Sequence, residues 1–155
     1  MNGGIASAAG KSATVAVGAS PRNVAISPDI TRAYVANAGS NSVSVINTAT
    51  NTVVTTLGVG SNPVKIAITP NGARAYVTNN GAKSVSAIDT ATNTVVATVA
   101  VGTNPVDVSI TPDGTRAYVT NAGSNSTSVI DTSTNAVTAT VPVGATPVNA
   151  TIFSQ

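Results

Sequence analysis

The chain repeats itself every 42 residues, and a period of that length restricts a chain to tandem architectures of stacked units. Pro21, Pro63, Pro105 and Pro147 keep the spacing, as do Gly18, Gly60, Gly102 and Gly144. Tyr34, Tyr76 and Tyr118 keep it too, each two residues after Arg32, Arg74 and Arg116. Residues 63–104 and 105–146 are identical at 26 of 42 aligned positions. Whatever one unit folds into, its neighbours fold into as well. Each must bury its apolar faces against the next.

One unit reads as four short strands. In residues 105–144, Val106 to Ile110 is a β-branched run ended by the turn tetrapeptide Thr111-Pro112-Asp113-Gly114. Arg116 to Thr120 is a second strand, followed by the loop Asn121-Ala122-Gly123-Ser124-Asn125. Ser126 to Ile130 is a third. The turn Asp131-Thr132-Ser133-Thr134-Asn135 supplies an Asx-turn residue and an Asn suited to left-handed geometry, and Ala136 to Val143 is the fourth. No segment carries helical periodicity with helix caps. Strands of this length joined by tight turns form antiparallel meanders, and four in about 42 residues make one blade of a β-propeller. A right-handed β-solenoid is the main competitor, but its strands run parallel and the tight Thr-Pro-Asp-Gly turn demands a hairpin.

The words Arg-Ala-Tyr-Val-Thr-Asn at 74–79 and 116–121, and Arg-Ala-Tyr-Val-Ala-Asn at 32–37, resemble the YVTN family of β-propeller repeats. So do Thr-Pro-Asn-Gly at 69–72, Thr-Pro-Asp-Gly at 111–114, and the Ile-Asp-Thr-x-Thr-Asn segments at 88–93 and 130–135. The resemblance covers about residues 12–153. It implies an all-β propeller fold and a secreted or cell-surface location, as in archaeal surface-layer proteins, often in seven-bladed rings. Quinone-dependent dehydrogenases and the copper domain of nitrous oxide reductase are related propellers. No residue of theirs carries across, since the copper needs His ligands.

Composition narrows the chemistry. There is no Cys and no His, and the five acidic residues are all Asp. That excludes an ordinary zinc site, a Cys nucleophile, a Ser-His-Asp triad and a disulfide framework. We therefore expect no metal and no cofactor. A net charge of +2, with only 8% charged residues, leaves no basic stripe for nucleic acid. No apolar run is long enough for a membrane helix. The first residues lack a basic n-region and a long apolar core. They read as a flexible arm over 1–11, with any leader already removed or the chain an internal piece.

Counting strands leaves the ring open. The units 21–62, 63–104 and 105–146 give three whole blades within a repeat region of 12–155. A lone strand is expected at each end, over 12–18 (Ala13 to Val17) and 147–154 (Val148 to Phe153). Three blades do not close a ring, so the terminal blades expose apolar faces and strand edges. The expected partners are further blades of a longer chain or other copies of this one, closed into a ring or open as a filament.

Constant and variable positions carry different expectations. Tyr34, Tyr76 and Tyr118 are expected between blades, with Arg32, Arg74 and Arg116 packing on them and meeting Asp29 or Asp113 in the turn. Asp89 and Asp131 stand where the first unit has Asn47, which points to turn hydrogen bonds and not acid chemistry. Asn23, Lys65, Asp107 and Asn149 occupy one equivalent position, two after the repeat proline. Lys83 stands where the sister units have Asn41 and Asn125. These five form the candidate ligand or partner rim. Asn125-Ser126-Thr127 and Asn149-Ala150-Thr151 fit the N-glycosylation pattern. The expected role is a non-catalytic structural or interaction module, secreted or at the cell surface. The alternatives are a ligand- or glycan-binding propeller using that rim, and a propeller enzyme, a lyase or a quinone-dependent oxidoreductase.

Overall fold

The structure, a computed structural model, describes residues 13–150. It holds three four-stranded antiparallel sheets, each a simple meander. The first contains β1 (Pro21–Ile26), β2 (Arg32–Asn37), β3 (Ser42–Asn47) and β4 (Thr52–Gly58). The second contains β5 (Pro63–Ile68), β6 (Arg74–Asn79), β7 (Ser84–Asp89) and β8 (Thr94–Ala100). The third contains β9 (Pro105–Ile110), β10 (Arg116–Asn121), β11 (Ser126–Asp131) and β12 (Ala136–Pro142). The only helical element among the described residues is a single 3-10 turn at Ala38–Ser40.

The sheets fan out as propeller blades. The inner strands β1, β5 and β9 pack side by side, whereas the outer strands β4, β8 and β12 barely meet. The core therefore lies between blades and not within them. Tyr34, Ala36, Val43 and Val45 of the first blade interlock with Ile66, Ala75, Val77 and Ile88 of the second. Tyr76, Val85, Ala87 and Val99 meet Val108, Ala117, Val119 and Ile130 in the same way. In the middle blade, whose two faces both meet a neighbour, the inner strands are mostly buried or half-buried, so their Val, Ile and Ala run nearly continuously, whereas β1 of the first blade is largely exposed. The outer strand is largely exposed in every blade.

Two bulges recur. One falls just after the repeat proline, between Pro21 and Asn23 and between Pro63 and Lys65, with its match at Pro105. The other lets the outer strand slip past its neighbour opposite Val45/Ile46, Ala87/Ile88 and Val129/Ile130. Bulges add twist and re-aim the side chain that follows.

Residues 13–17 and 148–150 join no hydrogen-bonded ladder among the described residues. Residues 16–18 lie against Ser42 and Ser44 of the first blade, and Ala150 lies against β9. The expected arm at 1–11, residue 12, and the stretch 151–154 fall outside the described residues.

Candidate functional site

The bulge after each repeat proline turns residues 23, 65 and 107 toward the following blade. The Asn23 carboxamide oxygen accepts the Ile66 N–H at 3.0 Å, and the Asp107 carboxylate accepts the Ala150 N–H at 2.8 Å. Each side chain thus clasps the next inner strand by its backbone. Lys65 has no acceptor to offer and instead lies 3.6 Å from the Asp107 carboxylate. The Asp107 side chain is buried, while that of Lys65 is 41% exposed. Lys65, Asp107 and Asn149 share one groove with Ser109 and Ala150. Asn23 sits at the previous junction, and Lys83 lines a different groove with Gly58, Gly60 and Ser84. The candidate rim is therefore two places and not one, and its inner members hold blades together.

The second place is the loop between the second and third strands of each blade. In the outer blades it reads Ala-Gly-Ser-Asn, at 38–41 and 122–125; in the middle blade it reads Asn-Gly-Ala-Lys, at 80–83. The fourth residue is left-handed in all three, with φ of 50° at Asn41, 51° at Lys83 and 50° at Asn125. Asn tolerates that conformation and Lys does not favour it. Asn41 and Asn125 also accept the N–H groups of Asn62 and Thr146, at 3.0 and 2.9 Å. The Ser40 and Ser124 hydroxyls accept the N–H groups of Ala19 and Thr103, at 3.2 and 3.0 Å. Ala82 and Lys83 do neither. In exchange Asn80 reaches the Pro105 carbonyl at 3.2 Å and meets Asn62 at 3.4 Å. Sequence reasoning singled out Lys83 but passed over Asn80 and Ala82, though all three depart from the repeat within one loop.

The opposite end of the blades carries the Tyr and Asp positions. The Tyr76 hydroxyl donates to Asn135 of the third blade at 2.8 Å, and Tyr34 donates to Asn93 of the second at 3.5 Å. Burial pushes both phenols above their ordinary pKa. Tyr118 is only half-buried, on the face of the third blade that meets no other described blade. The expected pairing of Arg with Asp29 or Asp113 is not found among the described residues. Arg74 pairs with Asp89, its cross-strand neighbour, and the Arg32 guanidinium donates to the Thr31 carbonyl. Asp29 and Asp113 instead accept from Ser27 and Thr31, and from Thr111 and Thr115.

Asp89 and Asp131 accept two or more backbone N–H groups of their own turns, and Asn47 does the same. These hydrogen bonds hold the carboxyls of Asp29, Asp89, Asp113 and Asp131 below the usual carboxylate range. Among the described residues no three of His, Cys, Asp and Glu gather as a metal site would need. What this end offers chemically is turn closure and inter-blade hydrogen bonds.

Solved propellers share this architecture. The chain is 28% identical to hydrazine synthase of Kuenenia stuttgartiensis, with a TM-score of 0.80 over 89% of this chain and 40% of that one. A putative 6-phosphogluconolactonase from Bacteroides fragilis NCTC 9343 is 23% identical, with a TM-score of 0.76 over 88% of this chain and 42% of that one. The WD40 repeats of RRP9 are 14% identical, with a TM-score of 0.73 over 82% and 40%. This chain thus spans well under half the length of each of these structures, and the last two likenesses speak to fold alone. No curated protein matches the chain. The choice-of-anchor I domain matches residues 4–152. A propeller-like fold carrying a choice-of-anchor domain suggests a cell-surface or interaction module. By that match, which spans nearly every residue, this β-propeller repeat protein belongs to the choice-of-anchor I domain family.

Proposed function

We propose that this chain is a non-catalytic interaction module of a secreted or cell-surface assembly, joined head to tail to other copies of itself through the unfinished faces of its terminal blades. One observation carries the reading. Val24, Ile26 and Ile30 on the leading face of the first blade are 56%, 51% and 73% exposed, whereas Ile66 and Val108, the counterparts of Val24, are 3% and 2% exposed. Covering a Val or Ile side chain fully is worth roughly 1.5–3 kcal/mol, so that face gains by being covered. The far face of the third blade leaves Val141 and Val143 open in the same manner.

The stubs fit a head-to-tail junction. Ala150 occupies the inner-strand place beyond the third blade, and residues 16–18 occupy the outer place ahead of the first. A junction between copies would bring the two together as the inner and outer strands of one partial blade. The cell-surface part of the reading is supported by the family, by the YVTN-like repeat words, and by a Ser-, Thr- and Asn-rich surface. No helix among the described residues is long and apolar enough to cross a membrane. The non-catalytic part is supported by carboxylates already engaged in their own turns.

Sedimentation velocity over a range of concentrations tests the proposal. Mass is expected to rise to multiples of the 15.1 kDa chain. The double variant Val24→Asp, Ile26→Asp is expected to abolish the rise. Val96→Asp, on the exposed outer strand of the middle blade, leaves it intact. A monomer at every concentration with one cooperative melt overturns the reading, and so does assembly indifferent to the double variant.

A further inference from the structure

The middle blade's loop forfeits two hydrogen bonds and accepts a strained backbone, and its sisters show what was given up. At the outer blades an oxygen from the fourth loop residue sits 3.0 or 2.9 Å from a backbone N–H of the following connection. The matching N–H in the middle is that of Asn104, and none of the hydrogen bonds among the described residues reaches it. On the loop's other side, the Ser61 N–H matches those of Ala19 and Thr103, which Ser40 and Ser124 accept; Ala82 provides no hydroxyl to it. The loop is thus flanked by two backbone donors without a protein acceptor among the described residues. The same loop carries the exposed side chain of Lys83, on a backbone whose φ matches that of Asn41 within a degree.

The surroundings favour an anion with further acceptor oxygens. Asp107 is the only carboxylate at this end of the described blades, and it is buried and engaged by Lys65 and Ala150. Asp29, Asp89, Asp113 and Asp131 all lie in turns at the opposite end. The nearby side chains of Asn62, Asn80, Thr103 and Asn104 are small, neutral hydrogen-bonding groups. We propose that this loop is a binding site for an acidic sugar. The uronate carboxylate takes the place that the Asn oxygen holds in the sister blades, against the Asn104 N–H and the Lys83 ammonium. Ring hydroxyl oxygens face the Ser61 N–H and the neighbouring carboxamides. A small donor-rich rim with one cation suits such a ligand better than a strongly charged polymer, which needs a basic track.

The sister loops also supply the test. Lys83→Asn converts the middle loop toward theirs, relieves the left-handed lysine and returns an internal oxygen to the Asn104 N–H. The full chain, labelled with nitrogen-15, is titrated with trigalacturonate at constant ionic strength. The Asn104 and Ser61 amide resonances are expected to move saturably, while those of Asn62 and Thr146 stay in place. Lys83→Asn is expected to weaken binding at least tenfold without disturbing the rest of the spectrum. The proposal is overturned by any of four results: no saturable movement, equal movement with a neutral galactose trimer, equal movement with acetate at the same carboxylate concentration, or binding unchanged in Lys83→Asn. It is also overturned if the Asn104 resonance moves with protein concentration alone, which assigns the carboxylate to a second copy. The sugar titration is read below the concentration at which mass rises, so it stands or falls apart from self-association.

Discussion

Ile30 occupies the last position of the turn Ser27-Pro28-Asp29-Ile30 with φ of 57°, where the sister turns have Gly72 and Gly114 at 72° and 73°. A β-branched residue is a poor occupant of that conformation, and 73% of its surface is exposed, so packing does not compensate. Relief of left-handed strain is worth about 1–2 kcal/mol, against which Gly loses some backbone entropy. Ile30→Gly is therefore expected to stabilise the isolated chain by roughly 1 kcal/mol, read from the urea midpoint at unchanged slope. The turn carboxylates make a second expectation at this scale. Their folded pKa values lie below the ordinary one, so the stability they add is present above about pH 4 and is lost as pH falls further. Buried Tyr34 and Tyr76 act at the other limit, with stability lost as pH rises past about 10. The melting temperature should be flat between roughly pH 5 and 9 and fall on either side. The interchange of Asn47 with Asp89 and Asp131 made the turn role legible in the sequence. The Arg partner was not legible, because pairing follows the cross-strand register that sets Arg74 opposite Asp89.

At the level of the strand, the last residue of each second strand is a fully buried Asn. Asn37, Asn79 and Asn121 each donate to two Ser hydroxyls of the third strand, Ser42 and Ser44 in the first blade. This explains why Ser, a poor core residue, recurs at buried positions in β3, β7 and β11. It also explains Gly18, Gly60 and Gly102, whose backbones pass so close that an added Cβ would fall within 2.8 Å of an Asn side-chain atom. The repeat marked the glycines as special, but only the packing supplies the reason. Gly60→Ala is expected to cost about 1–3 kcal/mol, the usual penalty for overpacking a closed site. Gly58→Ala is the control, since a Cβ there meets nothing within 4 Å. Parallel urea titrations distinguish them, and equal losses in the two variants would remove the Asn contact as the cause. The strands themselves were readable from β-branched runs and turn words. The bulges were not, because an extra residue leaves the composition of a strand unchanged while re-aiming Asn23, Lys65 and Asp107.

For the molecule as a whole, cohesion lies between blades, so its ends are chemically different from its middle. The third blade carries Thr127 where Val43 and Val85 are fully buried, and Ser109 where the other blades have Ala25 and Ala67. Its far face is thus more polar than an interior one, and the Ser109 hydroxyl binds the Ala150 carbonyl of the stub. That pattern suits a junction built from partial blades and water more than a repeat of the dry interior contact. Three blades and their order were visible in the 42-residue period, whereas the polar adaptation of one face emerges only when the strands are placed side by side. The tyrosines convert this asymmetry into a measurement. Tyr76→Phe removes a hydroxyl that donates to Asn135 across a closed interface, and should cost about 1 kcal/mol of stability. Tyr118→Phe removes its counterpart on the open face, which has no acceptor among the described residues, and should leave the unfolding midpoint of the monomer within about 0.5 kcal/mol of the parent. If copies join through that face, the same Tyr118→Phe change should lower association in sedimentation runs while Tyr76→Phe does not. Equal effects of the two variants on stability would mean that the third blade is already closed off, and the self-association reading would fail with it.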